Sequence, residues 1–203
     1  MTCIAAVADG TTVWMGADSA AVSGWESLPR RDPKVFAVGQ FLIGYTSSFR
    51  MGQLLRWNLD APPIGEEIDG RVIELEEYMQ TIFVDAVRST LAAGGFATKE
   101  KEQEAGGTFM VGVRGRLFFV GDDYQVGELL TPYNAIGCGA HIALGALFAL
   151  ARHGPIPAER RVSIALQAAA EFSSGVRPPF TVWRLDATGA RPVLVPEETR
   201  AAS

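Results

Sequence analysis

The order in which two kinds of apolar pattern follow one another constrains this chain more than any other feature. It opens with short apolar runs separated by turn residues. Ile4 to Val7 reads as a strand, Asp9-Gly10 as a hairpin turn, and Val13-Trp14-Met15 as the returning strand, which ends at Gly16-Ala17-Asp18-Ser19. Val35 to Val38 and Phe41 to Tyr45 form a second pair around Gly39-Gln40, so four short strands are expected first. A short helix carrying Met51, Leu54 and Leu55 follows and is halted at Pro62 and Pro63. Val72, Leu75, Met79, Ile82, Phe83, Ala86, Val87 and Leu91 then recur at helical spacing, closed by Gly94-Gly95. The charged stretch from Phe96 to Ala105 reads as a mobile loop. Strands return at Thr108 to Val113 and Leu117 to Val120, with a further short one within Tyr124 to Leu130. Two helices, His141 to Arg152 and Ala158 to Phe172, are split by Gly154 and Pro155, and Phe180 to Leu185 and Val193 to Val195 read as closing strands.

Strands, helices, strands, helices, strands is neither the alternation of a doubly wound sheet nor an all-β pattern. Two antiparallel sheets stacked between helix layers satisfy it: an α+β, four-layer αββα sandwich. With 203 residues, 48% hydrophobic and 20% charged, one domain over 1–203 with a sizeable core is expected, its polar end from Pro196 frayed. The net charge of -5 opposes binding to nucleic acid, and Arg30-Arg31 and Arg160-Arg161 are too short to make a basic patch. The start shows no basic segment leading an apolar run, and Ile142 to Leu150 is too short to span a bilayer. Cys3 and Cys138 make neither a metal spacing nor a disulfide framework. A cytoplasmic protein with reduced thiols follows, without membrane attachment.

The chemistry is concentrated at the N-terminus. Methionine is trimmed when a small residue follows it, which would make Thr2 the first residue. A terminal threonine holds a hydroxyl and a base on one residue, because its free amine has a pKa of roughly 8, whereas an amide nitrogen has no such basicity. Asp18 closes the second strand and Lys34 opens the third, so both side chains can converge near the start of the first strand if these strands are neighbours. An ammonium there lowers the pKa of a nearby amine, and Asp18 would hold that ammonium charged and oriented. Taken singly, Asp18 is equally a turn cap, Lys34 a surface lysine, and Thr2 an incidental second residue.

With these positions the chain resembles the proteasome β-type subunits and their bacterial relatives among the N-terminal nucleophile hydrolases. The resemblance rests on Thr2-Cys3-Ile4, Gly16-Ala17-Asp18-Ser19 and Pro33-Lys34-Val35, and continues through Leu42 to Ser48, Ile136-Gly137-Cys138-Gly139 and Ser173-Ser174-Gly175. The segment Ser47 to Leu55 looks closest to bacterial and phage proteasome-like proteins. The resemblance implies the αββα sandwich, a threonine peptidase with Thr2, Asp18 and Lys34 catalytic, and a backbone N–H of Ser47 or Ser48 as oxyanion donor. It also implies Ser174 and Glu171 as auxiliary residues near the threonine amine. Three departures stand out. Cys138 replaces a serine in the Gly-Ser-Gly turn, Glu171 replaces an aspartate, and serine stands where glycine is common at the oxyanion position. Cys138 is thus an auxiliary candidate, although on its own it reads as a small buried residue. Ser174 is equally a helix-end cap.

A self-compartmentalising homo-oligomer acting on peptides or unfolded polypeptide follows from the resemblance. The chain has no phosphate-loop motif, so any ATP-driven unfoldase is a separate protein. His141 and His153 sit near no nucleophile elbow, Ile142 spoils a dinucleotide-type glycine turn, and no cluster has metal-ligand spacing, so neither cofactor nor metal is expected. Two other readings remain open at this point: an inactive proteasome-like shell subunit, motivated by Cys138 and Glu171, and a small-molecule amidase on the same fold.

Overall fold

The structure, a computed structural model, describes residues 1–23, 26–65, 67–68, 71–96, 98–100 and 103–194. The frayed end expected from Pro196 lies outside the described residues. The chain opens with three hairpins: β1 (Cys3–Ala8) with β2 (Val13–Ala17), β3 (Ala20–Ser23) with β4 (Glu26–Pro29), and β5 (Val35–Val38) with β6 (Phe41–Tyr45). Helix α1 (Phe49–Asn58) and a short pair, β7 (Glu67–Ile68) and β8 (Arg71–Val72), follow. Next, α2 (Leu75–Tyr78) runs through a π-turn over Met79–Phe83 into α3 (Val84–Ala93). The hairpin of β9 (Thr98–Glu100) and β10 (Gln103–Ala105) precedes β11 (Phe109–Val113), β12 (Arg116–Val120), β13 (Val126–Glu128) and β14 (Tyr133–Gly137). Helices α4 (Ala140–Leu150) and α5 (Ala158–Phe172) lead to β15 (Thr181–Asp186) and β16 (Gly189–Val193).

Two five-stranded antiparallel sheets result, in the orders β14-β1-β2-β15-β16 and β13-β12-β11-β6-β5. Their facing sides are filled by Ile4, Val13 and Met15 from the first and Leu42, Met110 and Leu117 from the second. The outer face of the first sheet packs on α4 and α5 through Cys3, Ala5, Val7, Leu147, Val162 and Leu166. The outer face of the second packs on α1, α2 and α3 through Ile43, Tyr45, Val111, Met51, Leu55, Phe83 and Leu91. Each fully buried side chain of this size contributes about 1.5–3 kcal/mol, so layer packing carries the fold. The expected αββα layering is what forms.

Strand β1 explains why its own pattern alternates weakly. All six of its residues are buried, the odd ones against helices and the even ones against the second sheet. Close approach of the layers needs small residues. A Cβ on Gly44 would lie 2.5 Å from Met15 Sδ and 2.7 Å from Ile4 Cγ2.

Five expectations are corrected. Six strands rather than four precede the first helix, because the β3–β4 hairpin lies between the two expected pairs and Lys34 therefore stands before the fifth strand, not the third. Val72 is not helical: it is 62% exposed in β8, and the helix starts at Leu75, where Glu74 has an extended backbone. The charged stretch read as a mobile loop contains the β9–β10 hairpin. A strand at Tyr133–Gly137 was missed and proves to be the edge neighbour of β1. The closing strand expected from Val193 instead spans Gly189–Val193, and Val195 lies outside the described residues.

The register puts the chemistry at one end of the sandwich. Cys3 pairs with Gly137 and Ile4 with Ala17, so the start of β1 lies beside the ends of β2 and β14. Val35 pairs with Gly44, which brings the start of β5 beside the end of β6.

Candidate active site

Asp18 follows β2 and is fully enclosed; its side chain is 0% exposed and that of Lys34 1%. Its Oδ1 accepts from the Cys3 N–H and from Lys34 Nζ, each at 2.9 Å. Its Oδ2 accepts from the Ala20 N–H at 3.0 Å and, more loosely, from the Arg177 N–H at 3.4 Å. Lys34 Nζ also donates to the Ala20 carbonyl at 2.6 Å. One carboxylate therefore caps its own turn, pairs with the lysine, and binds the residue that follows Thr2. The turn-cap and ion-pair readings of Asp18 both hold, while the surface reading of Lys34 does not. Burial pulls the Lys34 ammonium below its ordinary range, against the opposing pull of Asp18. Burial, with Asp18 nearby, pushes the Cys3 thiol up to about 12.

Thr2 is buried, and its hydroxyl donates to the Met1 carbonyl at 2.6 Å. The Thr2 carbonyl in turn accepts a long contact from Cys138 Sγ at 3.4 Å. Gly137 makes this approach possible. It has φ +98, and a Cβ there would lie 2.1 Å from the Thr2 carbonyl oxygen. Cys138 is exposed, which corrects its reading as a small buried residue. It follows β14 in the turn into α4, beside Ser173 and Gly175.

The turn after β6 distinguishes the two candidate oxyanion donors by geometry. The Ser48 N–H donates to the Thr46 carbonyl at 2.8 Å, and the Ser48 hydroxyl caps α1 by accepting from the Arg50 N–H at 3.1 Å. Ser47 is exposed and has φ 66, the left-handed region that favours glycine. Its hydroxyl accepts from the Thr108 N–H at 3.2 Å, while among the described residues its own N–H meets no acceptor. Thr46 is pinned to the same neighbour, its N–H and its hydroxyl each donating to the Thr108 carbonyl at 3.0 Å. The methyl of Thr46 would lie 3.2 Å from a Cβ on Gly137, so this turn borders the Thr2 end of β1.

The remaining sequence candidates are less closely gathered. Glu171 is exposed in the last turn of α5, and Ser174 is exposed in the turn beyond it. The serine that reaches the site is Ser173, whose hydroxyl contacts Cys138 Sγ at 3.8 Å. Sequence reasoning missed Ser173, Ala20, Thr46 and Arg177. None of them carries a signal of its own, since each acts through a backbone group or a neighbour distant in sequence. His141 lies in the first turn of α4 and His153 beyond its end, both exposed. Among the described residues no group of three His, Cys, Asp or Glu side chains converges to hold a metal ion, and no helix is long and apolar enough to cross a membrane.

Chemically, this end of the sandwich gathers a hydroxyl, a buried ammonium held by a carboxylate, an N–H without an acceptor among the described residues, and a thiol. No model of a known protein family matches the chain, and no curated protein does either. Solved structures do match. BPH of Thiobacillus denitrificans in complex with epoxomicin aligns with a TM-score of 0.73 at 20% identity, over 91% of this chain and 98% of that one. A second structure of Thiobacillus denitrificans BPH gives 0.70 at 20% identity, covering 91% and 97%. HslV from Trypanosoma brucei gives 0.63 at 17% identity, covering 91% and 99%. At such identity the likeness is one of fold. The chain has the proteasome-like fold of BPH and HslV, two antiparallel sheets between helix layers.

Proposed function

We propose that this chain is a threonine-type peptidase whose nucleophile is the Thr2 hydroxyl once Met1 is removed. The observation that carries the reading is the Asp18 carboxylate, which binds both Lys34 and the residue next to Thr2 from a fully buried position. In the trimmed chain the Thr2 amine takes the proton of its own hydroxyl as Oγ attacks a scissile carbonyl. The Lys34 ammonium keeps that amine neutral by disfavouring a second positive charge nearby. General-base action of this kind is worth about 10²–10⁴-fold in rate. The developing oxyanion takes the Ser47 N–H, a contribution of about 10²–10³-fold. The leaving amine departs protonated, an acyl-threonine remains, and water activated by the same amine releases it. Cys138 and Ser173 line the far side of Thr2, where the resemblance assigns Ser174 and Glu171 as auxiliary groups.

The fold shared with BPH and HslV supports a ring or other homo-oligomer; that it acts in the cytoplasm on peptides or unfolded polypeptide, with ATP-driven unfolding supplied by a separate partner, extends the proposal on the sequence resemblance alone. The test starts with the intact mass of the untagged protein, which should lack one methionine. Epoxomicin, the compound named with BPH, should then label the trimmed chain at Thr2, and Thr2→Ala should abolish peptide hydrolysis while leaving the assembly intact. Retained activity in Thr2→Ala sinks the proposal. A trimmed chain that neither labels nor hydrolyses peptides is a shell subunit. Turnover confined to small amides makes it a small-molecule amidase.

A further inference from the structure

Arg177 lies outside the groups this mechanism uses, yet its backbone touches the Asp18 turn on both sides. Its N–H donates to Asp18 Oδ2 at 3.4 Å, and its carbonyl accepts from the Ser19 N–H at 3.2 Å. Its side chain turns the other way. Nη1 alone donates to three carbonyls, those of Ala170 at 3.4 Å, Ser173 at 3.2 Å and Val176 at 2.9 Å. Ala170 belongs to the last turn of α5 and Ser173 is its C-cap. Carbonyls at a helix C-terminus have no partner within the helix and carry partial negative charge, so they favour a cation. Helix α5 has no basic residue in its own last turn. Arg177 supplies the cation from beyond the end and closes the 170–177 segment on itself.

That segment is the far wall of the candidate site. It carries Ser173, whose hydroxyl touches Cys138 Sγ, and Cys138 Sγ touches the Thr2 carbonyl. It also carries Gly175, where a Cβ would lie 2.6 Å from the Met1 side chain and 2.9 Å from Cys138 Sγ. We infer that Arg177 is a positioning residue. Its guanidinium holds the 170–177 turn so that the turn presents one N–H to Asp18 and one hydroxyl to Cys138, on opposite sides of Thr2. Without the cation, three converging carbonyls repel one another and the turn opens toward water. The Asp18–Lys34 pair and the strand register have their own hydrogen bonds, so the loss falls on alignment at Thr2 rather than on the fold.

The inference rests on the peptidase reading, and one experiment separates the two. Peptide hydrolysis, epoxomicin labelling rate and thermal stability are measured for the wild type, Arg177→Ala and Arg177→Lys, and for Arg177→Ala with guanidinium ion added well below denaturing concentrations. The expected result is a fall in kcat and labelling rate of about tenfold to a hundredfold in Arg177→Ala, with KM nearly unchanged. Arg177→Lys should recover most of it, because an ammonium has three N–H donors for the three carbonyls. Added guanidinium should recover part. A wild type that hydrolyses peptides beside an equally fast Arg177→Ala overturns the inference alone. So does loss of activity that tracks loss of stability and is rescued neither by lysine nor by guanidinium. A properly trimmed wild type without turnover overturns the peptidase reading itself.

Discussion

Replacing Asp18 by asparagine keeps the shape of the side chain and changes its hydrogen-bonding character, which makes Asp18→Asn the sharpest probe of the site. The carboxylate only accepts, and it faces donors on both oxygens: Cys3 N–H and Lys34 Nζ on one, Ala20 N–H and Arg177 N–H on the other. An amide turned either way sets its NH2 against donors. Placing the nitrogen toward Ala20 preserves the Cys3 and Lys34 contacts but leaves the Ala20 N–H without its acceptor, at about 1–3 kcal/mol for a buried group. The Lys34 ammonium then meets a neutral oxygen, losing a charge-assisted bond of about 1.5–3 kcal/mol. Together the cost is about 3–5 kcal/mol, the range found when one partner of a buried pair is removed. For a chain of this length that lowers Tm by roughly 10 °C. Urea unfolding at neutral pH, at matched protein concentration, should show a lower midpoint with an unchanged slope. The cost should shrink as pH rises, because a lysine without its counter-charge can lose its proton. An Asp18→Asn variant within about 1 kcal/mol of wild type would refute the claim that this carboxylate is enclosed by donors.

Lys34 makes a further prediction with a definite sign. Its folded-state proton affinity is held by burial below the ordinary value of 10.5, so the unfolded chain binds that proton more tightly. Its contribution therefore grows as pH rises toward 10.5 and is lost on falling through the folded value. The stability of wild type minus that of Lys34→Met should rise with pH on approach to 10.5, and a flat difference would contradict it. A thiol reagent at mildly alkaline pH should titrate one cysteine per native chain, the exposed Cys138, and reach Cys3 only after denaturation. Two rapidly reacting thiols in the native protein would refute the enclosure of Cys3. Gly137→Ala should displace the Thr2 carbonyl, since its Cβ would lie 2.1 Å away in a conformation that disfavours side chains. Loss of several kcal/mol, about 3 or more, in urea unfolding together with loss of epoxomicin labelling is expected, and wild-type values for both would count against the β1–β14 geometry.

Thr2, Asp18 and Lys34 were legible because each stands where a strand begins or ends, and hairpin turns fix which strand ends are neighbours. Helix α5 was legible to the residue, since its apolar face repeats without interruption between Pro157 and Ser173. Val72 shows the limit of such reasoning. It falls at helical spacing by coincidence, and its 62% exposure shows no core behind it. The β9–β10 hairpin was illegible because its strands are charged and show no apolar alternation. Strand β14 was hidden because Tyr133 to Gly137 is a five-residue run with a polar Asn134 and a closing glycine, and only pairing with β1 makes it a strand.

By itself the sequence determined the main run of apolar strands and helices, the layers that their apolar faces must form, and the placement of the candidate residues Thr2, Asp18 and Lys34 at strand ends. These follow from local periodicity and from side-chain types, which need no knowledge of distant neighbours. Tertiary structure alone decided which of two serines leaves its N–H without an acceptor among the described residues, that Ser173 rather than Ser174 meets Cys138, that Cys138 is exposed, and that Arg177 reaches both Asp18 and α5. The reason is that burial and hydrogen-bond partnership depend on contacts between segments far apart in the chain. Thr2 and Cys138 meet across 136 positions, and no local pattern carries that distance.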